Sequence, residues 1–221
     1  SDSSQTRLTK RSSLRLKSCF WLYCGGGRSL MRFRICGLSF GVLLVAAAPL
    51  SASSFSISAQ ETSALNGYWQ FYPDTLLTGF DLSLGENAAA ATPMVVIYAK
   101  VPSDWNHYEL PGRRFGSHGA GTYTTWLENL EPGELYAIRL NFVGTAHQIF
   151  VGDEAQPLCA AGKPAVSAAD YQPDYRHVLC RFSASGQRMR LTIQISNFLH
   201  AAGGLRDVPI VGREASIWRE Y

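Results

Sequence analysis

The chain has 221 residues, of which 46% are hydrophobic and 17% are charged, a composition typical of a globular protein. Its formal charge of +3 is misleading, because residues 1–52 hold 8 of the 20 basic groups and only one of the 17 acidic groups. The remaining residues carry a formal charge of −4, and their one basic cluster is Arg113-Arg114. Nucleic-acid binding needs a basic face that neutralises phosphates, so the composition excludes this function.

The N-terminal part of the sequence predicts export. Residues 1–30 are polar and basic without an apolar period, and we interpret them as a non-structural upstream segment, with a basic tail as the alternative. Residues 31–54 place basic residues before an apolar run and then small residues, the pattern of a secretory signal peptide. The apolar run is shorter than the ~20 residues that cross a membrane. We expect cleavage between Ala52 and Ala59, with an uncleaved anchor as the alternative, which leaves residues 60–221 as one exported domain.

Strand-length apolar runs, separated by Gly, Pro, Asp or Asn, recur throughout the exported part. No window keeps a helical apolar period beyond two turns, apart from a short turn expected at 75–80. Along 189–195, Met, Leu and Ile alternate with polar residues, as in a strand with one buried face. This pattern predicts an all-β protein with a jelly-roll β-sandwich. The expected strands are 65–72, 94–98, 123–127, 135–142, 148–151, 177–182 and 189–195, with a surface loop at 88–91.

The cysteines support an extracytoplasmic fold. Three of the five precede the expected cleavage zone, which leaves Cys159 and Cys180 in an oxidising compartment. We predict that these two form a disulfide, with two buried free thiols as the alternative. A metal site is not expected, because two thiols without nearby histidine spacing cannot complete a tetrahedral shell, and no other cofactor is indicated.

Several side chains are suited to a carbohydrate, whose recognition uses aromatic faces and planar polar groups on loops. Trp105 and His107 form an aromatic and polar cluster after a proline turn, and Arg114 follows on a glycine-rich loop. The alternative for Trp105 is packing over the edge of the sandwich. Tyr123 is a further aromatic candidate, and strand alternation places Trp126 on the opposite face from it.

A second group of candidates follows the alternating strand. Asn197 and His200 are suited to binding a ligand, although the Asn197 amide can equally fix the backbone of its own loop. Gly203-Gly204 indicates positive φ or a close backbone approach. Arg206 is able to hold a carboxylate or a hydroxyl, with an ion pair to Asp207 as the alternative.

Enzymatic signatures are missing from the sequence. The five histidines do not show the His-Glu-x-x-His spacing of a metalloprotease, and there is no Gly-x-Ser-x-Gly elbow. We therefore predict a protein without catalytic residues of its own.

The order of landmarks along the chain resembles a known family. It runs through Leu65-Asn66-Gly67-x-Trp69-x-Phe71-Tyr72, Val101-Pro102-x-x-Trp105, Gly119-x-Gly121-Thr122-Tyr123, Ala146-x-x-x-Phe150-Val151, Tyr171-x-Pro173 and Ser196-Asn197-Phe198-x-His200-x-x-Gly203-Gly204. Together these are similar to the type 2 extracellular domain of bacterial seven-transmembrane receptors with diverse intracellular signalling modules (7TMR-DISM). A weaker similarity, in the first two landmarks, is to the sugar-binding domain of family 2 glycoside hydrolases.

The first resemblance implies a periplasmic jelly-roll, similar to carbohydrate-binding modules and galactose-binding-like folds. Such a domain stands ahead of seven membrane helices and a cytoplasmic diguanylate cyclase or histidine kinase. The leading hypothesis is therefore a ligand-sensing domain on the periplasmic side of the inner membrane, which binds a carbohydrate or another small polar ligand. The alternatives are a protein-interaction or homodimerisation module, and a non-catalytic domain of a secreted glycosidase.

Overall fold

The computed structural model describes residues 53–87, 94–141, 143 and 145–220. Within these ranges the chain is built mainly of β-strands, with two short helices. In chain order the strands are β1 (Ser54–Ser56), β2 (Ser63–Ala64), β3 (Gly67–Pro73), β4 (Ile97–Val101), β5 (Glu109–Leu110), β6 (Arg113–Arg114), β7 (Gly119–Glu128), β8 (Leu135–Leu140), β9 (Ala146–Val151), β10 (Cys159–Ala161), β11 (Val178–Ser183), β12 (Arg188–Asn197) and β13 (Ile210–Arg213), and the helices are α1 (Gly79–Asn87) and α2 (Glu214–Arg219).

Two sheets form a sandwich, which confirms the all-β prediction. The larger sheet has the strand order β10-β9-β12-β7-β3-β4, and β1 pairs in parallel with the C-terminal end of β7. The smaller sheet has the order β11-β8-β13-β2, and β5 and β6 form a separate hairpin. Most neighbouring strands are distant in sequence, as in a jelly roll, so the fold depends on long-range pairing.

The core lies between the inner faces of the two sheets. On β12 the apolar residues of the alternating pattern all point into it, and Leu191, Ile193 and Ile195 have no exposed surface. Ile138 and Leu140 on β8 belong to the same buried cluster from the opposite sheet. Burial of each such side chain contributes about 1.5–3 kcal/mol, so this interface supplies most of the favourable energy of the fold.

The polar face of β12 differs from the expectation of a strand with one buried face. Thr192 and Ser196 on that face have no exposed surface either. Ser196 Oγ accepts a hydrogen bond from the Ala165 amide at 2.9 Å and donates to the Ala165 carbonyl at 2.8 Å. On the neighbouring strand, Thr122 Oγ1 donates to the Thr75 carbonyl at 2.7 Å. Loop segments therefore cover the outer face, and hydroxyls rather than apolar groups hold them there.

The two helices were not predicted from the apolar pattern. In place of the short turn expected at 75–80, α1 begins at Gly79, and α2 follows β13 directly. The start of α1 is capped reciprocally, since the Thr78 hydroxyl accepts from the Asp81 amide at 3.1 Å and the Asp81 carboxylate accepts from the Thr78 amide at 2.9 Å. The cap, not an apolar stripe, is the sequence signal for α1. The loop expected at 88–91 lies outside the described residues.

The N-terminal boundary of the sandwich precedes the expected residue 60. β1 pairs with β7, and Ile57, directly after it, is 3% exposed and belongs to the core. Phe55 packs on Trp69, with ring centres 6.0 Å apart. Three-residue strands without a period are hard to detect in a sequence, which explains the missed element. The predicted signal peptide at 31–54 lies almost entirely outside the described residues, and no described helix is long and apolar enough to span a bilayer.

Trp126 lies on the outer face of the large sheet, as the alternation predicted. Its ring is half-buried and contacts two guanidinium groups of β12, with Arg188 4.0 Å and Arg190 4.3 Å from the ring centre. Arg190 is directly opposite Trp126 in the register of the two strands. The indole ring is therefore bound by cation–π contacts to arginines of its own sheet. It does not present an open aromatic face to a partner protein.

Cys159 and Cys180 form a disulfide, with their Cα atoms 6.0 Å apart. Cys159 lies on β10, at the edge of the large sheet, and Cys180 lies on β11, at the edge of the small sheet. The bond therefore joins the two layers of the sandwich covalently.

Candidate ligand-binding site

One end of the sandwich carries a pocket with a volume of about 160 Å³, and most of the residues that line it are of polar types. Three loops surround it: the β8–β9 loop, the β10–β11 loop and the β12–β13 loop. Antiparallel pairing brings these loops together, because β8, β10 and β12 end, and β9, β11 and β13 begin, on that side. The lining residues are Asn141, Val143, Thr145, His147, Asp174, Tyr175, Arg176, His200 and Arg206.

His147 is the buried member of the pocket lining. It lies on β9 opposite Ile195, on the core-facing side of the strand, and only 3% of the residue is exposed. Both ring nitrogens are buried, and neither has a hydrogen-bond partner in the structure. Burial lowers the pKa of His147 from 6.5 to about 4, although the Asp174 charge opposes this shift. The imidazole is therefore neutral at pH 7, with one donor and one acceptor available beside the pocket.

Asp174 and Arg176 form an ion pair on the second loop. Arg176 Nε donates to the Asp174 carboxylate at 2.6 Å, and the Arg176 amide donates to it at 3.0 Å. The hydrogen bond from the Arg176 side chain is the main reason that the pKa of Asp174 is lowered. The Asp174 amide in turn donates to the Thr145 carbonyl at 2.7 Å, which ties this loop to the start of β9. The backbone hydrogen bond to Thr145 therefore holds the loop in place, and the ion pair with Arg176 keeps the carboxylate ionised.

His200 and Arg206, two of the predicted candidates, line the pocket from the third loop. Both are exposed, and the His200 ring packs edge-on against Tyr175 with ring centres 5.7 Å apart. The alternative pairing of Arg206 with Asp207 is absent among the described residues. The Asp207 carboxylate instead accepts from the Val208 amide at 2.8 Å.

Asn197 supports this loop from below. It has no exposed surface, and its side-chain NH₂ donates to the carbonyls of His200 at 2.8 Å and Ser117 at 3.0 Å. Its side-chain oxygen accepts from the His200 amide at 3.0 Å and from the Thr145 hydroxyl at 3.3 Å. The amide thus satisfies several buried backbone groups, which is the structural alternative considered for this residue. Asn197 does not line the pocket, but it fixes the positions of residues that do.

The prediction of Trp105 as a ligand platform is not met, because the side chain has no exposed surface. Its ring packs edge-on against Phe115, with ring centres 5.1 Å apart, and its Nε1 donates to the Ser117 carbonyl at 3.0 Å. Tyr123, predicted as an aromatic contact, is also fully buried, and its hydroxyl donates to Tyr108 at 3.3 Å. A ring with no accessible face cannot stack on a ligand, so both residues belong to the core.

Gly203 and Gly204 have the two roles that the sequence suggested. A Cβ atom on Gly203 would lie 2.4 Å from Trp105 Nε1, so only glycine permits this close approach. Gly204 has φ of +101°, a conformation that L-residues rarely adopt. The buried Trp105 therefore sets the path of the loop that carries His200 and Arg206.

His107 and Arg114, the remaining predicted contacts, lie outside the pocket. His107 is exposed in the turn after Trp105, and Arg114 is exposed on β6, where it pairs with Glu109 at 3.0 Å. The structure therefore separates the predicted candidates into three groups: His200 and Arg206 at the pocket, Asn197 beneath it, and the others in the core or at surfaces that do not line the pocket.

Sequence reasoning missed His147, Asp174 and Arg176 as site residues. The available signal for His147 was a histidine in the apolar phase of a strand, two residues before Ile149. Asp174 and Arg176 follow Pro173 in a loop without any period, so only the tertiary fold brings them to β9. Among the described residues, no group of three or more His, Cys, Asp or Glu side chains is arranged to hold a metal ion.

Comparison with known proteins gives matches among solved structures alone. Neither protein-family models nor curated proteins match the chain. A GH2 β-galacturonidase from Eisenbergiella tayi bound to galacturonate aligns with 71% of this chain at 13% identity and a TM-score of 0.48, over 25% of its own length. A β-glucuronidase from Ruminococcus gnavus aligns with 71% of this chain at 12% identity and a TM-score of 0.46, over 30% of its own length.

The chain thus spans about a quarter to 30% of these enzymes, and their activities are not transferred to it. With TM-scores below 0.5, these likenesses do not establish the resemblance to glycoside hydrolase family 2, which stays a prediction. The resemblance to the receptor domain has no support in these comparisons and stays a prediction.

Proposed function

We propose that this protein is a non-catalytic binding module that takes a carbohydrate or a similar small polar ligand in the pocket of the three loops. The observation that carries the proposal is His147, a buried imidazole that lines the pocket with both nitrogens unpartnered. A buried polar group without a hydrogen bond costs about 1–3 kcal/mol, so a ligand hydroxyl that pairs with it gains affinity.

The setting of the pocket supports the same function. Its lining side chains are mostly polar and stand on loops at the end of a rigid sandwich, where ligand contacts commonly lie. The volume is below the roughly 300–1,000 Å³ of pockets for drug-sized ligands. The ligand is therefore a monosaccharide-sized molecule or the terminal residue of a longer chain.

The proposed cellular setting is a receptor exported to the periplasmic side of the inner membrane. This part of the proposal is supported by the predicted signal peptide and by the resemblance to the 7TMR-DISM extracellular domain. Downstream membrane helices would tether the module and pass the signal to a cytoplasmic diguanylate cyclase or histidine kinase. The loop with His200 and Arg206 leads into β13 and α2, the last described elements, so ligand binding would bias their arrangement through its difference in affinity between two states.

Paired substitutions test the location of the site. We expect His200→Ala with Arg206→Ala to lower affinity for a bound sugar at least tenfold, because both side chains line the pocket. The matched control is His107→Ala with Arg114→Ala, which removes the same two residue types from exposed positions elsewhere. Isothermal titration calorimetry against a panel of neutral and acidic sugars supplies the measurement. Equal affinity in both double variants, or loss in the control alone, would place the site elsewhere.

A further inference from the structure

The charged side chains of the pocket differ in whether they already form an ion pair within the protein. The Asp174 carboxylate is already bound by Arg176 through its side chain and its amide. Arg206 forms no ion pair within the described part of the chain, and the neighbouring Asp207 carboxylate is turned to the Val208 amide. Arg206 is therefore the guanidinium available to a ligand.

The sum of charges favours a ligand that bears one negative charge. Apart from the histidines, the charged side chains of the lining are Arg176, Arg206 and Asp174, which sum to a net charge of +1. A planar guanidinium matches a carboxylate with two parallel hydrogen bonds. A phosphate monoester carries about −1.5 to −2 charges at pH 7 and would exceed what a single open arginine neutralises.

The rest of the lining suits uncharged polar groups. The buried His147 offers one donor and one acceptor, the complement of a hydroxyl. Asn141 adds an amide to the same pocket, whereas the Thr145 hydroxyl already donates to Asn197. The combination is one cationic contact beside several neutral hydrogen-bonding groups.

We infer that the pocket selects an acidic sugar: a small polyhydroxylated ligand with one carboxylate, which Arg206 binds, while His147 bonds a hydroxyl. This inference rests on the proposed function and specifies its ligand class. It assigns to Arg206 the role of discriminating charged ligands from neutral ones.

The test compares ligands that differ in one group. The probes are D-galacturonate and D-glucuronate, their neutral parents D-galactose and D-glucose, and the 6-phosphates of both parents. Calorimetry at pH 7.5 and low salt measures each with the wild-type protein, with Arg206→Gln and with Arg114→Gln. Arg114→Gln is the matched control, because Arg114 is exposed on the separate β5–β6 hairpin and does not line the pocket.

We expect at least one uronate to bind tenfold or more tightly than its neutral parent. Arg206→Gln should remove this difference by weakening the uronate at least tenfold more than its neutral parent, and Arg114→Gln should leave both affinities unchanged. Preservation of the fold is checked by the thermal midpoint of each variant, since Arg206 is exposed and its replacement should not alter stability.

The contrary outcomes distinguish a failure of the acidic-sugar inference from a failure of the proposed sugar-binding function. Neutral sugars that bind as tightly as the uronates, with equal losses on Arg206→Gln, would overturn the acidic-sugar inference and leave the sugar-binding function in place. If a sugar 6-phosphate binds more tightly than the uronates, the assignment of a carboxylate as the charged group of the ligand is wrong. If no probe binds, or if only Arg114→Gln weakens binding, both the inference and the proposed site fail.

Discussion

At the scale of single residues, His147 shows how position changes the chemistry of a side chain. An exposed histidine titrates near pH 6.5, whereas burial beneath the pocket lowers the pKa of His147 to about 4. Between these two values the unfolded chain binds a proton at this residue and the folded chain does not. The stability that His147 contributes is therefore present above pH 6.5 and is lost as the pH falls towards 4.

We predict that the free energy of unfolding falls by about 3 kcal/mol more in the wild type than in His147→Gln between pH 7 and pH 4. Glutamine keeps a polar side chain but does not titrate, so the difference isolates the histidine from the carboxylates that also protonate in this range. Urea denaturation at intervals across these pH values measures it. Parallel pH profiles of the two proteins would show that His147 is accessible to protons in the folded state.

Asn197 illustrates a residue whose role depends on surroundings that its own sequence motif does not specify. The motif after β12 suggested either a ligand contact or a loop anchor. The carbonyls that its NH₂ group binds belong to His200, three residues away, and to Ser117, 80 residues away. The second partner is invisible in the sequence, because nothing local indicates that the β6–β7 loop lies beside the end of β12.

At the scale of elements, β1 belongs to the sandwich although it lies within the expected cleavage zone. Ile57 is buried, and its amide donates to the Glu128 carbonyl at 2.8 Å, which extends the pairing with β7. If the predicted signal peptide is cleaved, the mature chain should begin at or before Ser53, and N-terminal sequencing of the exported protein checks this.

We predict that Ile57→Ala lowers the free energy of unfolding by about 2–5 kcal/mol, the cost of truncating a buried isoleucine. Val166→Ala is the matched control, because Val166 is 62% exposed and its truncation should cost less than about 0.5 kcal/mol. Chemical denaturation of both variants compares them. A negligible effect of Ile57→Ala would mean that β1 does not contribute to the fold in solution.

At the scale of the whole molecule, the disulfide is the one described covalent link between the two sheets. Cys159 and Cys180 are separated by 21 residues, and this segment includes the loop with Asp174 and Arg176. Closing a loop of this length restricts the unfolded chain and stabilises the folded protein by about 3 kcal/mol. The bond thus also limits how far one wall of the pocket can move from the sandwich.

We predict that reduction, or replacement of both cysteines by alanine, lowers the free energy of unfolding by about 3 kcal/mol. Denaturation curves with and without a reducing agent measure the effect, and the double variant should be insensitive to the reagent. A wild-type protein that resists denaturation equally well after verified reduction would contradict the prediction.

The sequence by itself determined the fold class and most of the long strands, because alternation of apolar and polar residues is a local signal. It also led to the prediction, still untested, that the loop after β12 carries site residues, and it correctly assigned Gly203 and Gly204 to a tight backbone path. Short strands such as β1 and β10 lack a period, and α1 lacks an apolar stripe, so neither kind of element was predicted.

The tertiary structure alone decided which polar side chains meet. His147, Arg176 and Arg206 come from three loops or strands that are distant in the sequence, and they converge because antiparallel pairing returns those segments to one end of the sandwich. It also decided that Trp105 and Tyr123 are buried, since an aromatic residue looks the same in a sequence whether its face meets solvent or another ring. Local patterns record the preference of a residue for burial, whereas the partners that it meets follow from the path of the whole chain.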